Sequence, residues 1–145
     1  MNTWTYKGEI IDNIDKVPEG AIGFIYCLTN INTGKQYIGK KYLYSERKKN
    51  LTKKEISELA SKRLKHWKTV KSESDWLTYN SSSEEIKKEI KEGQLFQKEI
   101  LYWTFNKIST TYLEIRTQME LRVLESNMYY NNNINSSWFR DNIGI

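Results

Sequence analysis

The sequence predicts an α+β domain, a small three-stranded, mostly antiparallel sheet flanked by helices. Three observations predict it. Strand-like alternation occurs on both sides of a turn in "GFIYCLTNINTGKQYIGKK", residues 23–41. Two helix-capping signals, Thr52 with Glu55 and Ser82 with Glu85, stand before spaced apolar residues. A third strand-like run, "LFQKEILYWTF", is followed by a final helical stretch. The order strand, strand, helix, helix, strand, helix places helices over a short sheet.

The first two strands run over residues 22–30 and 35–40, with "NTG" as the turn and Gly34 free to take positive φ. Turn length sets the register. With Ile31–Gly34 as a four-residue loop, Asn30 opposes Lys35 and Tyr37 opposes Leu28. Tyr26 and Tyr37 are then diagonal neighbours on one face, roughly 7–8 Å apart. A loop one residue shorter or longer sends them to opposite faces.

After the hairpin comes the basic stretch "KKYLYSERKKNLTKK". The Thr52–Glu55 capping box predicts a helix through about Thr69, with Ile56, Leu59, Ala60, Leu64 and Trp67 as its apolar stripe. "SESDWLTYN" reads as a loop with two buried aromatics. Ser82 and Glu85 open a second helix carrying Ile86 and Ile90 and ending before Gly93. Ser109–Thr111 open the last helix, to about Glu125, and the remainder reads as an irregular tail that packs its aromatics.

The composition fits this picture. The chain has 145 residues, 38% hydrophobic and 28% charged, the size and balance of one soluble domain spanning residues 1–145. No apolar run is long enough for a bilayer, so no membrane partner is expected. The N-terminus lacks the pattern of a signal peptide, and the expected location is the cytoplasm. Cys27 is the single cysteine, which rules out an internal disulfide or a cysteine zinc site. The net charge of +5 suits a phosphate-rich partner. A Lys-, Asn- and Ile-rich composition also arises in any protein of an AT-rich genome.

Tyrosine is a common strand residue, so packing alone accounts for a pair in a hairpin. The wider arrangement says more. Gly23-Phe24-Ile25-Tyr26 is followed, eleven residues after Tyr26, by Tyr37-Ile38-Gly39. Arg47 stands ten residues beyond Tyr37, and "TYLEIRTQMELRVLESNMYYN" supplies Glu114 and Asn131 on and after a helix. In this order the landmarks resemble the GIY-YIG nuclease family over roughly residues 22–131, closest in look to its compact phage and homing members. Phe24 stands where the family usually has glycine, with Gly23 just before it.

The resemblance implies a metal-dependent endonuclease acting on DNA phosphodiester bonds, encoded by a phage or mobile element. It implies one Mg²⁺ or Mn²⁺ ion held by Glu114, with solvent and phosphate oxygens completing the shell. Tyr26 is the implied proton acceptor from the attacking water, and Tyr37 orients that water or the phosphate. Arg47, which the family places at the start of its first helix, grips the phosphate through its planar fork. Lys40 and Lys41, just past the sheet edge, are also expected DNA contacts, adding positive potential. Lys48, Lys49, Lys53 and Lys54 are expected DNA contacts through phosphates, and Asn131 is grouped with them. The protein acts as a monomer or as a homodimer on DNA.

Each role has a plainer counterpart. Glu114 lies three residues after Thr111 and suits a capping box. Helical phase favours Glu120, beside the apolar stripe, as the metal ligand, whereas the family pattern favours Glu114, which is the choice made. Arg47 competes with Arg63 for its role, and with its lysines it also fits a solvated basic face. The family's histidine or tyrosine one turn after the arginine is Leu51 here, leaving Tyr42 or Tyr44 for that role or none; His66 reads as a surface or packing residue. The alternative function is a nuclease-like nucleic-acid-binding module that has lost turnover. A third, a basic adaptor for proteins, requires neither DNA nor metal.

Overall fold

The computed structural model describes residues 3–61 and 63–144. Its strands in chain order are β1 (Trp4–Tyr6), β2 (Glu9–Ile11), β3 (Gly23–Asn30), β4 (Gln36–Tyr42), β5 (Tyr44–Asn50), β6 (Trp67–Glu73), β7 (Phe96–Thr104), β8 (Asn133–Ile134) and β9 (Trp138–Phe139). Its helices are α1 (Lys53–Ser57), α2 (Glu84–Lys91) and α3 (Lys107–Glu120). The chain folds as two compact units, one of Met1–Leu43 with Asp75–Ile145 and one of Tyr44–Ser74.

The first unit holds a five-stranded sheet, not the three strands predicted, in the order β2-β1-β7-β3-β4. The extra pair is an N-terminal hairpin. Lys7 (φ 49°) and Gly8 (φ 85°) both take positive φ, the two-residue turn that matches strand twist. β1 then joins β7 in parallel, and the other neighbours are antiparallel.

The β3–β4 register is the predicted one. Leu28 opposes Tyr37, and the Asn30 N–H donates to the Lys35 carbonyl at 2.9 Å. Gly34 takes φ 77° and donates its N–H to the Asn30 carbonyl at 2.8 Å, closing the turn. Between Ile25 and Tyr26 the β3–β7 register shifts by one residue, a bulge that increases local twist beside Tyr26.

Each face of the sheet has its own core. On one face Trp4, Phe24 and Tyr26 pack edge to face with centroids 4.9–6.2 Å apart, and Trp76 closes over Phe24 at 6.2 Å. Such pairs add about 0.5–1.5 kcal/mol beyond the area buried. Lys98 is buried beneath this cluster, its Nζ 4.4 Å from the Trp4 ring, and burial draws its ammonium down to about 8. On the other face Ile25, Cys27 and Ile38 pack with Val123, Leu124 and Ile134.

Helix ends follow side-chain caps. Ser83, not Ser82, caps α2 by accepting the Ile86 N–H at 3.3 Å. Asn106 caps α3 by accepting the Ser109 N–H, so the helix starts earlier than predicted and Glu114 is not a capping partner. α3 ends at Glu120 and a short 3₁₀ turn, Val123–Glu125, follows the left-handed Arg122 (φ 53°). The tail is ordered by one side chain. Arg140 donates to the carbonyls of Val123, Leu124, Ser126, Tyr129 and Asn131 at 2.6–3.3 Å.

The second unit departs most from expectation. The Thr52–Glu55 capping box forms with both bonds present, but α1 lasts only to Ser57. The predicted stripe does not become a helix face: Leu64 is 51% exposed and Trp67 begins β6. Residue 62, inside the predicted helix, lies outside the described residues. β5 and β6 pair antiparallel over seven residues each, with Arg47 opposite Val70.

Candidate active site

The two hairpin tyrosines meet over a glycine. Gly39 stands directly opposite Tyr26 across β3 and β4. A Cβ at Gly39 would lie 2.6 Å from Tyr26 Oη and 2.9 Å from a Tyr37 ring carbon, distances that real Cβ contacts essentially never take. Glycine is therefore what lets the Tyr26 ring cross the strand and stack on Tyr37, with centroids 6.1 Å apart and planes 30° from parallel. Tyr79, from the loop before α2, adds a third ring edge-on to Tyr26 at 6.1 Å. The Tyr37 hydroxyl lies 3.3 Å from Ser82 Oγ.

β4 is the outer strand of the sheet, and its outward main-chain groups alternate with period two. At Gln36 they pair with the main chain of Met128 and Tyr130, at 2.8 and 2.7 Å. At Ile38 the Asn131 amide takes both groups, accepting the N–H at 3.1 Å and donating to the carbonyl at 2.8 Å. Gln118 donates a second bond to that carbonyl at 2.9 Å. At Lys40 the backbone N–H side faces Glu114 and favours its ionised carboxylate. Glu114, reached from α3, thus stands beside the next residue of this edge.

Glu114, Tyr37, Ser82, Gln118 and Asn131 line one polar concavity of about 260 Å³. The Glu114 side chain is only 18% exposed, and its nearest cation, Lys40 Nζ, is 3.9 Å away. Burial raises the Glu114 carboxyl above its usual range, and Lys40 opposes that shift without cancelling it. Tyr26 is 1% exposed; burial first, then the charges of Tyr37, Tyr79 and Glu114, push its hydroxyl well above 10. Burial also raises Tyr37.

Glu120, the competing carboxylate, is elsewhere. Its side chain is 63% exposed and pairs with Arg116 at 3.5 Å along the helix. Lys40 and Lys41, expected to face DNA, have partners inside the unit. Lys40 donates to Thr111 at 3.0 Å; Lys41 meets Asp75 at 2.6 Å and lies 4.0 Å over the Tyr79 ring. Asn131, grouped with the DNA contacts, is buried with its amide committed to Ile38, so the structure gives it the task of holding the edge strand. Tyr42 lies under Lys40, whose Nζ is 5.8 Å from the ring.

Arg47 belongs to the second unit and sits on β5, not at the start of a helix. It is exposed, as are Lys48, Lys49, Lys53 and Lys54. Leu51 ends the ribbon by donating its N–H to the His66 carbonyl at 2.9 Å, and Tyr44 lies 4.3 Å under Lys71.

The donor set fits a hard divalent cation. Among the described residues no three His, Cys, Asp or Glu side chains gather, so no all-protein cage exists. One poorly compensated carboxylate in an amide- and hydroxyl-lined hollow suits Mg²⁺, which keeps several waters. Gln118 was not expected from sequence. Its nitrogen must face the Ile38 carbonyl, which can only accept, so its Oε1 is the end left buried without a partner among the described residues. Tyr79 and Ser82 were not read as site residues from sequence, because only the fold of the loop before α2 brings them to Tyr26 and Tyr37.

Residues 4–134 match the family model described as "Putative endonuclease segE, GIY-YIG domain". Neither a curated protein nor a solved structure matches the chain significantly. Among the described residues no helix is long and apolar enough to cross a membrane.

Proposed function

Because the chain belongs to the GIY-YIG endonuclease family, we propose that it is a divalent-metal-dependent endonuclease cleaving DNA phosphodiester bonds, of the kind that phages and mobile elements carry. The observation that carries this reading is the meeting of three groups at one sheet edge. Tyr26 and Tyr37 stack over Gly39, and Glu114 lines the same concavity as Tyr37, 3.9 Å from Lys40 Nζ on the same strand.

Glu114 would hold the ion, with the amide and hydroxyl oxygens around it suited to its waters. The bound ion would supply Lewis-acid polarisation of the phosphate. Tyr37, beside the same concavity, orients the scissile phosphate or the attacking water through its hydroxyl. Tyr26 handles the proton. Its buried hydroxyl keeps that proton at neutral pH, so abstraction from water needs the disfavoured phenolate and proceeds faster as pH rises. Lys40 contributes positive charge beside Glu114. Arg47, with Lys49, Lys53 and Lys54, is assigned to phosphate binding from the second unit.

The test is supercoiled-plasmid cleavage by the purified chain in Mg²⁺, Mn²⁺ or EDTA, with Glu114→Ala and Glu120→Ala alongside. The expected result is metal-dependent nicking or linearisation, lowered by a factor of about 100 or more in Glu114→Ala and retained in Glu120→Ala. Loss in Glu120→Ala alone would remove Glu114 from the site. Salt-sensitive DNA binding with no cleavage would replace the enzyme by a binding module.

A further inference from the structure

The net charge of the chain is not shared between its units. Tyr44–Ser74 carries ten Lys and Arg against four Glu, a net +6 within a chain total of +5, which leaves the remainder at −1. Counterion release on a polyanion would therefore come almost wholly from this unit.

Within it, the ribbon of β5 and β6 has two unlike faces, because side chains alternate along each strand. One face carries Tyr44, Glu46, Lys48 and Asn50 against Glu73, Lys71, Thr69 and Trp67. Both strand carboxylates are here, and the cations are occupied: Lys48 Nζ is 4.2 Å from the Trp67 ring and Lys71 Nζ 4.3 Å from the Tyr44 ring. The other face carries Ser45, Arg47 and Lys49 against Ser72, Val70 and Lys68. It has three cations, two hydroxyls 3.3 Å apart and no strand carboxylate, and every residue on it except Val70 is exposed.

This second face is electrostatically costly by itself. Lys49 and Lys68 are directly opposed, an arrangement that destabilises a strand pair. Glu55 relieves Lys68 at 2.8 Å, while among the described residues no ion pair relieves Lys49 or Arg47. A protein partner would want an apolar or aromatic centre, and this face offers one half-buried valine. Phosphate oxygens suit forks, ammonium groups and hydroxyls together.

We propose that the Tyr44–Ser74 unit is the nucleic-acid grip of this protein, and that it grips backbone phosphates with the Ser45–Arg47–Lys49–Lys68–Ser72 face of its ribbon, not with the Lys48–Lys71 face. The proposal rests on the endonuclease reading for the choice of DNA as the polyanion. It makes the grip indifferent to base sequence, and it moves Lys48 out of the contact set that sequence alone suggests.

The experiment is fluorescence anisotropy of a labelled 20-base-pair duplex with the full chain in Ca²⁺, titrated with KCl, for wild type and two double variants. Each phosphate contact contributes about 0.9 to the slope of log K against log salt. Arg47→Ala with Lys49→Ala should lower that slope by about 2 and weaken binding at low salt by at least about 10-fold. Lys48→Ala with Lys71→Ala should leave the slope within error of wild type. Arg47→Lys with Lys49→Arg, which keeps both charges, should restore it and excludes misfolding as the cause.

An equal or larger drop for the Lys48 and Lys71 pair would overturn the face assignment. Binding of poly-glutamate with the same affinity and the same variant pattern would overturn phosphate recognition. The two readings fail separately. A chain that grips DNA through this face yet never cleaves loses the nuclease assignment alone. A chain that cleaves while its salt slope ignores both pairs loses the grip alone.

Discussion

Tyr26 crosses β4 where Gly39 has no side chain, with its hydroxyl only 2.6 Å from where a Cβ would stand. The glycine of the Tyr37-Ile38-Gly39 run is therefore required by a contact and not by backbone conformation. Gly39→Ala should cost about 1–3 kcal/mol in chemical denaturation through overpacking and should displace the Tyr26–Tyr37 stack. Tyr26→Leu, which removes the ring, should make Gly39→Ala much less costly, a coupling that a double-mutant cycle measures. Independent, additive costs would break the link between the two residues.

Asn131 distinguishes structure from DNA contact. Removing its amide leaves the buried Ile38 N–H without its partner, so Asn131→Leu should lose about 2 kcal/mol of stability. The Ile38 amide should also exchange its hydrogen faster. DNA affinity measured at a temperature where the variant is folded should not change. A variant that keeps its stability and loses affinity would return Asn131 to the DNA-binding set.

Glu114 sets a stability signature that needs no turnover. Its carboxyl is raised above 4.5 in the folded state, so the stability it contributes is full below about 4.5 and is lost as pH rises through the folded value. At neutral pH without metal, Glu114→Gln should therefore melt higher than wild type in scanning calorimetry. The gap should close below about pH 4.5. Adding Mg²⁺ should raise the wild-type melting temperature and leave the variant's unmoved. A variant less stable than wild type at neutral pH would show that the charge is better compensated than the geometry implies.

Arg140 tests whether one side chain orders the tail. Its fork reaches five main-chain carbonyls, a geometry that a lysine cannot copy. Arg140→Lys and Arg140→Ala should both lose about 2–3 kcal/mol, with faster hydrogen exchange over residues 123–131. Rescue by lysine would mean that charge, not the fork, is what matters.

The legible parts of this chain were those fixed by local geometry. The four-residue turn set the β3–β4 register, and that register placed Tyr26 beside Tyr37. The family resemblance favoured Glu114 where helical phase favoured Glu120; in the fold Glu114 is largely buried and Glu120 exposed. The misses have physical reasons. β1 and β2 are three residues each and owe their order to β7, a partner far along the chain, although Lys7-Gly8 marked their turn. The capping box at Thr52 was real, but a cap starts a helix without deciding its length. Its stripe is not evenly buried, with Ile56 and Leu59 half-buried but Ala60 and Leu64 exposed, and the chain returned as β6. Asn131 stood out as a residue, while its work at Ile38 depends on tail packing that no local pattern encodes.

An outer strand is ordinarily a place where a second molecule can add itself, since its free N–H and C=O groups template another strand. β4 offers little of that invitation. Gln36 and Ile38 give their outward groups to the tail and to two amide side chains, and the Glu114 carboxylate stands beside Lys40. The residues that furnish the candidate site thereby also act as a stopper against edge-to-edge aggregation. Mutations that empty the site should consequently be judged by solubility as well as by turnover.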